Sequence, residues 1–150
     1  MHRILAIDPG ESSGWFMQES HEDTVAFLKG TIVLDRVRFW ELLVLTQPNI
    51  IIYEEFKLYP HKARALIGNT FYTCEIIGLI KLYADIAKET KLFKQGASGR
   101  KYVHATTQDP NWLLAKELSD CPTTNHTFDA YQHFCMFMHK NKNLVNEVCT

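Results

Sequence analysis

The sequence is short of the marks that would place it in several protein classes. Its four cysteines, Cys74, Cys121, Cys135 and Cys149, lie far apart and form no C-x-x-C pair. That argues against a zinc site or a disulfide framework and fits reduced thiols. No apolar run approaches the roughly 20 residues needed to span a bilayer, and nothing resembles a signal peptide, so the expected setting is the cytoplasm with no membrane partner. The G-x-x-x-x-G-K-[ST] spacing of a nucleotide phosphate loop is missing too. Net charge is close to zero, at −1, which would weigh against a polyanionic partner if the charges were evenly spread.

They are not evenly spread. From Lys57 to Val103, nine Lys or Arg stand against three acids, whereas the remainder carries seven basic and fourteen acidic residues. A basic middle in a near-neutral chain describes one face that attracts polyanions, with carboxylates collected elsewhere; ordinary solvated lysines account for the same count. With 150 residues, nearly half of them apolar, a single domain over 1–150 with a sizeable core is expected.

The chain opens with an apolar run that stops in an acid, Ile4-Leu5-Ala6-Ile7-Asp8, followed by Pro9-Gly10. Side chains alternate along a strand, so Asp8 shares a face with Ile4 and Ala6 and projects where the sheet becomes a rim. This suits a metal ligand, and it equally suits plain Asp-Pro-Gly turn chemistry. Trp15 to Gln18 and Val25 to Ile32 then read as strands of an antiparallel meander, with Gly14 and Glu19 to Asp23 as turns. Asp35 to Thr46 has helical spacing and stops before Pro48. Ile50 to Glu54 is a strand apolar on both faces, and the intervening helix favours a parallel crossover beside the first strand. Glu54 aligns with Ile50 and Ile52; Glu55 points the other way and is the fallback if the register differs.

Phe56 to Arg64 mixes rings with cations, the ingredients of a nucleic-acid contact, although a loop whose rings fold back on the core has the same composition. Ala65 to Ala87 is a long helix apolar nearly all round, which predicts packing against the sheet on one side and a second subunit on the other. Leu92 and Phe93 begin a short strand, and Lys94 to Tyr102 is a basic loop suited to phosphate contact. A helix is expected from Asp109-Pro110 through Leu118. The final helix starts at Thr123-Thr124-Asn125, with His126 and Asp129 on one face of its first turn and Phe128, Tyr131, Cys135 and Met138 on a core-facing stripe. Capping alone also accounts for that polar pair. His133 continues the His126 face and reads as a supporting residue, not a ligand. These elements make an α/β chain with a mixed five-stranded sheet, three strands antiparallel and two parallel, flanked by helices.

Three of these stretches together resemble the RuvC family of Holliday-junction resolvases, in the ribonuclease H-like superfamily. Ile4 to Gly10 with Ser13-Gly14-Trp15 is similar to the family's opening I-x-I-D-P-G-x-x-x-T-G-[YW] pattern, with Ser13 in place of its threonine. Tyr53-Glu54-Glu55-Phe56 resembles its second acidic strand end, and His126-x-x-Asp129-Ala130-Tyr131 its terminal [HD]-x-x-D-A motif. Bacteriophages are a natural home for a compact member.

The resemblance implies a ribonuclease H-like fold and hydrolysis of DNA phosphodiesters with two divalent ions about 4 Å apart. Mg²⁺ is the expected ion, with Mn²⁺ as a substitute favoured by an imidazole ligand. Asp8 would bridge the ions, Glu54 and Asp129 would complete opposite sides, and His126 would ligate one ion or orient water. A homodimer would nick a four-way junction symmetrically. Phe56 or Tyr59 would stack at its centre, and Lys57, Lys62, Arg64, Arg100 and Lys101 would meet phosphates. Flaps, forks and RNA-DNA hybrids are alternative substrates of such a fold, and a non-catalytic branched-DNA binding module is the alternative from another class. An actin-like kinase, whose first strand can also end in Asp-x-Gly, needs a second lobe for which 150 residues leave no room.

Overall fold

The acid-terminated strand β1 (His2–Asp8) opens the computed structural model, which describes residues 1–57, 71–96 and 105–144. It pairs antiparallel with β2 (Ser12–His21), which pairs antiparallel with β3 (Thr24–Val33). Gly14 and Glu19 to His21 are therefore strand, not turn. The reversal takes only Glu22 and Asp23, with Glu22 in the left-handed region at φ 48°. Polarity misled here because the distal end of this ribbon, His21 to Ala26, is exposed and needs no apolar face.

Helix α1 (Arg36–Thr46) is capped by Asp35, whose carboxylate accepts the Arg38 backbone N–H at 2.8 Å, and it ends at Gln47 in the left-handed region. Strand β4 (Ile50–Glu54) follows, parallel to β1. Helix α2 (Tyr72–Ala87) leads to β5 (Lys91–Gln95), parallel to β4. The earlier part of the helix expected from Ala65 lies outside the described residues.

Helix α3 (Pro110–Leu114) is one short turn, and the helix expected to reach Leu118 is corrected: Ala115 is extended, and β6 (Lys116–Glu117) pairs with Leu28 and Lys29 of β3. A five-residue helix has little cohesion of its own, whereas the free edge of β3 offers unpaired backbone groups. The sheet accordingly has six strands, not five, in the order β5-β4-β1-β2-β3-β6. Helix α4 (Asn125–Lys140) crosses its face.

The sheet separates two cores. Leu5, Ile7, Trp15, Met17, Ile51 and Tyr53 face α1 and α2, meeting Phe39, Leu43, Ile76 and Ile80. Ile4, Ala6, Phe16, Ile50 and Ile52 face α4 and α3, meeting Trp112, Ala130, Tyr131, Phe134 and Phe137. The fold class is thus α/β, with helices on both faces of a mixed sheet. Along α4 the buried stripe runs through Ala130, Tyr131, Phe134 and Phe137, while Phe128, Cys135 and Met138, expected to lead it, are only partly buried at its margin. Burying one Phe side chain is worth roughly 1.5–3 kcal/mol, against ~0.5–1.5 kcal/mol net for a hydrogen bond. Packing therefore holds α4 on the sheet, and polar contacts decide its exact seat.

Among the described residues, Cys74, Cys121 and Cys135 are free thiols, and no helix is long and apolar enough to cross a membrane.

Candidate functional site

One level of the sheet gathers the polar chemistry. In the ladders Asp8 stands opposite Gly14, Gly14 opposite Thr31, and Glu54 opposite Gln95. Asp8 and Glu54 each lie one residue past the last β1–β4 pair, Ile7 with Tyr53, so the two acids end adjacent parallel strands side by side. Alternation from Ile4, Ala6, Ile50 and Ile52 puts both on the α4 face. The row Gln95, Glu54, Asp8, Gly14, Thr31 thus runs across five strands beneath α4.

The first turn of α4 is seated on this row. Gly14 leaves room for it: a Cβ there would lie 1.9 Å from the His126 carbonyl oxygen. The Thr31 hydroxyl lies 2.7 Å from the hydroxyls of both Thr124 and Thr127. Thr124 caps the helix, its hydroxyl accepting the His126 backbone N–H at 3.2 Å, and Thr127 returns the favour to the Thr124 N–H at 3.0 Å. Of the two accounts the sequence allows for this turn, capping is present, made by the Thr124 and Thr127 side chains. On the strand side, the Ser13 hydroxyl donates to the Gly10 carbonyl at 2.8 Å and accepts the Gly10 N–H at 3.2 Å, closing the Asp-Pro-Gly turn behind Asp8.

The result is a cluster. Asp8, His126 and Asp129 each offer a ligand atom, and these atoms lie within 4.8 Å of one another. The ring Nδ1–H of His126 donates to Asp8 Oδ2 at 3.0 Å. Two carboxylates and an imidazole are a donor set that Mg²⁺ or Mn²⁺ accepts, so these residues fit a divalent cation. Half of the His126 side chain is exposed, against 15% for Asp8, so the cluster has a buried floor and an open side. Burial pushes the Asp8 carboxyl above its usual range; the His126 hydrogen bond opposes this, and the charges of Glu54 and Asp129 reinforce it.

Glu54 lies outside this trio: it ends the parallel strand next to that of Asp8. Its Oε2 accepts a hydrogen bond from Nε2 of the fully buried His133 at 3.0 Å. Glu55 is turned away, ion-paired with Lys94 at 3.2 Å and Lys57 at 3.6 Å, and the Lys94 contact holds its carboxyl below the usual range. Phe56 is partly exposed, 5.8 Å from the Phe71 ring. Tyr59, Lys62, Arg64, Arg100 and Lys101 lie outside the described residues.

Gln95, Thr31 and the packing role of Gly14 carried no signal in the sequence. Gly14 reads in the sequence as a turn glycine and as part of the opening motif, not as a packing position, and Thr31 and Gln95 are single polar residues in strands.

No family model and no curated protein matches the sequence. Solved structures do. "T. thermophilus RuvC in complex with Holliday junction substrate" is similar at a TM-score of 0.62 and 15% identity, over 96% of this chain and 96% of that one. "Thermus thermophilus RuvC structure" follows at 0.59 and 14%, over 95% and 96%. The resemblance carried by three short motifs thus extends to the backbone: this chain has the RuvC fold.

Proposed function

We propose that this chain is a metal-dependent, structure-specific DNA endonuclease of the Holliday-junction resolvase type, a single RuvC-like domain over 1–150 that works in the cytoplasm as a homodimer. The observation that carries this reading is the convergence of Asp8, His126 and Asp129 within 4.8 Å at the acid-lined edge of the sheet. A solved structure of the same fold holds a Holliday junction substrate, which supports branched DNA as the ligand.

In this reading Asp8, Glu54, Asp129 and His126 hold Mg²⁺, with Mn²⁺ as substitute. Asp8 would be the central ligand, with Glu54 and Asp129 as the further carboxylate ligands. Two bound cations supply an activated water and relieve charge on the leaving 3′-oxygen. The residues contribute placement. The turn closed by Ser13 fixes the Asp8 backbone, while Gly14 and Thr31 fix the start of α4, so ligands from distant parts of the chain meet without reorganisation. His126, on the open side, ligates or orients water where a phosphate approaches. Phe56 stacks on a base, and Lys57 exchanges Glu55 for a phosphate; Tyr59, Lys62, Arg64, Arg100 and Lys101 extend that contact.

The test is a cleavage panel of four-way junction, flap, fork, linear duplex and RNA-DNA hybrid, each with Mg²⁺ and with Mn²⁺. Paired nicks in the junction, lost in EDTA, are expected. Preferential cutting of the hybrid would overturn the resolvase assignment, and binding of junctions without cutting under either ion would overturn the enzyme.

A further inference from the structure

Among the described residues, His133 is the one buried imidazole, and the proposed chemistry leaves it unused. Its side chain has no exposed surface, and side chains engage both ring nitrogens: Nδ1 lies 2.8 Å from Gln95 Oε1, and Nε2 3.0 Å from Glu54 Oε2. Glu54 and Gln95 are cross-strand partners on β4 and β5, so one ring from α4 bridges two adjacent sheet residues. Phe134 and Phe137 are buried on the same helix. A polar ring in such a place is tolerated only when it is hydrogen-bonded, and here both nitrogens are.

The direction of the contact follows from the partners. An ionised Glu54 only accepts, so Nε2 carries the donated hydrogen; the Gln95 amide can turn either end to Nδ1. Glu54 has three rotatable side-chain bonds and sits at a strand end, so a hydrogen bond to one carboxylate oxygen narrows the directions that carboxylate samples. The two histidines of α4 are thus placed differently. His126 stands half exposed at the mouth of the cluster, and His133, two turns on, is sealed beneath it.

We propose that His133, braced by Gln95, is a positioning residue for Glu54: it binds one carboxylate oxygen and so sets how the carboxylate faces the cation cluster at Asp8. This rests on the nuclease reading and deepens it, because hydrogen-bond partners behind a metal ligand orient that ligand and tune its affinity.

The test measures Mn²⁺ binding by electron paramagnetic resonance on the full chain without DNA, alongside circular dichroism and junction binding in EDTA. His133→Phe fills the space but donates nothing, and it should weaken Mn²⁺ binding about 10–100-fold while junction binding in EDTA is unchanged. His133→Gln, which places an amide nitrogen near the Nε2 position, should recover affinity to within about tenfold of the parent chain. Gln95→Leu should fall between the two. Wild-type Mn²⁺ affinity in a folded His133→Phe chain, or no recovery with glutamine, overturns the proposal. If the Phe variant does not fold, unchanged affinity in Gln95→Leu overturns it, and a weakened one sustains it. A parent chain that binds no Mn²⁺ defeats the nuclease reading itself, an outcome distinct from equal binding by parent and variants.

Discussion

Gly14 and His126 meet backbone to backbone: a Cβ on Gly14 would lie 1.9 Å from the His126 carbonyl oxygen and 2.4 Å from the Thr127 nitrogen. Because Gly14 is also the cross-strand neighbour of Asp8, this approach fixes how far the α4 residues stand from the strand-end acid. Gly14→Ala must push α4 off the sheet. We expect destabilisation at the upper end of the roughly 1–3 kcal/mol typical of overpacking, with Mn²⁺ binding weakened in the surviving folded fraction. Urea unfolding and Mn²⁺ titration check this, and a variant equal to the parent in both would refute the account.

The Asp8 carboxyl supplies a prediction whose sign depends on the metal. Burial raises its proton affinity in the folded chain, the His126 hydrogen bond partly offsets this, and Glu54 and Asp129 add to it. A raised folded value means that the group's stabilising contribution is full below the ordinary carboxylate range and is lost as pH rises through the raised value. At neutral pH in EDTA an ionised Asp8 therefore opposes folding, and Asp8→Asn should raise Tm. Divalent cation inverts the order, since saturation at about 100 times Kd adds about 2.7 kcal/mol to a chain that can bind it. Nicking should vanish in the variant while junction binding stays or tightens, because a charge that repels phosphate is gone. Thermal melts in EDTA and in Mn²⁺ with paired binding assays decide it.

Much of this arrangement was legible in the sequence, for identifiable reasons. Strand β4 could be read to its last residue because Ile50 to Tyr53 is an unbroken apolar run, alternating between two covered faces, that an acid closes. The same alternation chose Glu54 over Glu55 for the α4 face, where His133 meets it. The extended residues after Leu114 were not legible: pairing with the β3 edge is a tertiary choice that local helix signals at Asp109-Pro110 do not encode. Nor was the seat of α4. It depends on Thr31, which is remote in sequence from Thr124 and Thr127 and unremarkable until the sheet brings them together.

Thr31 deserves its own substitution for that reason. Thr31→Val keeps the shape and deletes the hydroxyl shared by Thr124 and Thr127, leaving two polar groups without their buried partner. Such a loss costs about 1–3 kcal/mol, and Thr31→Ser should recover most of it. If valine and serine behave alike in urea unfolding, the hydroxyl does not seat the helix.

The proposal assigns the neighbouring glutamates different roles. Glu54→Gln removes a proposed ligand and should reduce junction nicking by more than the roughly 10–100-fold that outer partners cost. Glu55→Gln should leave nicking within a few-fold of the parent, since its carboxylate is already occupied by Lys94 and Lys57 on the other side of the strand. Steady-state nicking at fixed Mg²⁺ compares them. The reverse ranking would move the site to the face opposite α4.

The proposed dimer can be tested at α2. Tyr72, Ile76, Ile80 and Tyr83 of this helix are buried, while Leu82 and Ile86 are 50% and 62% exposed on the side away from that stripe. Apolar residues exposed one helical turn apart fit a two-fold pairing of the same helix from two copies, in which each covers the other. Replacing both, Leu82→Glu with Ile86→Glu, should leave the buried stripe and the fold intact, because neither side chain belongs to the core. It should also convert a dimer to a monomer in light scattering. A single active centre then remains per junction, so paired nicks should give way to single ones at similar rate per chain. A double variant that remains dimeric would place the two-fold contact on another surface.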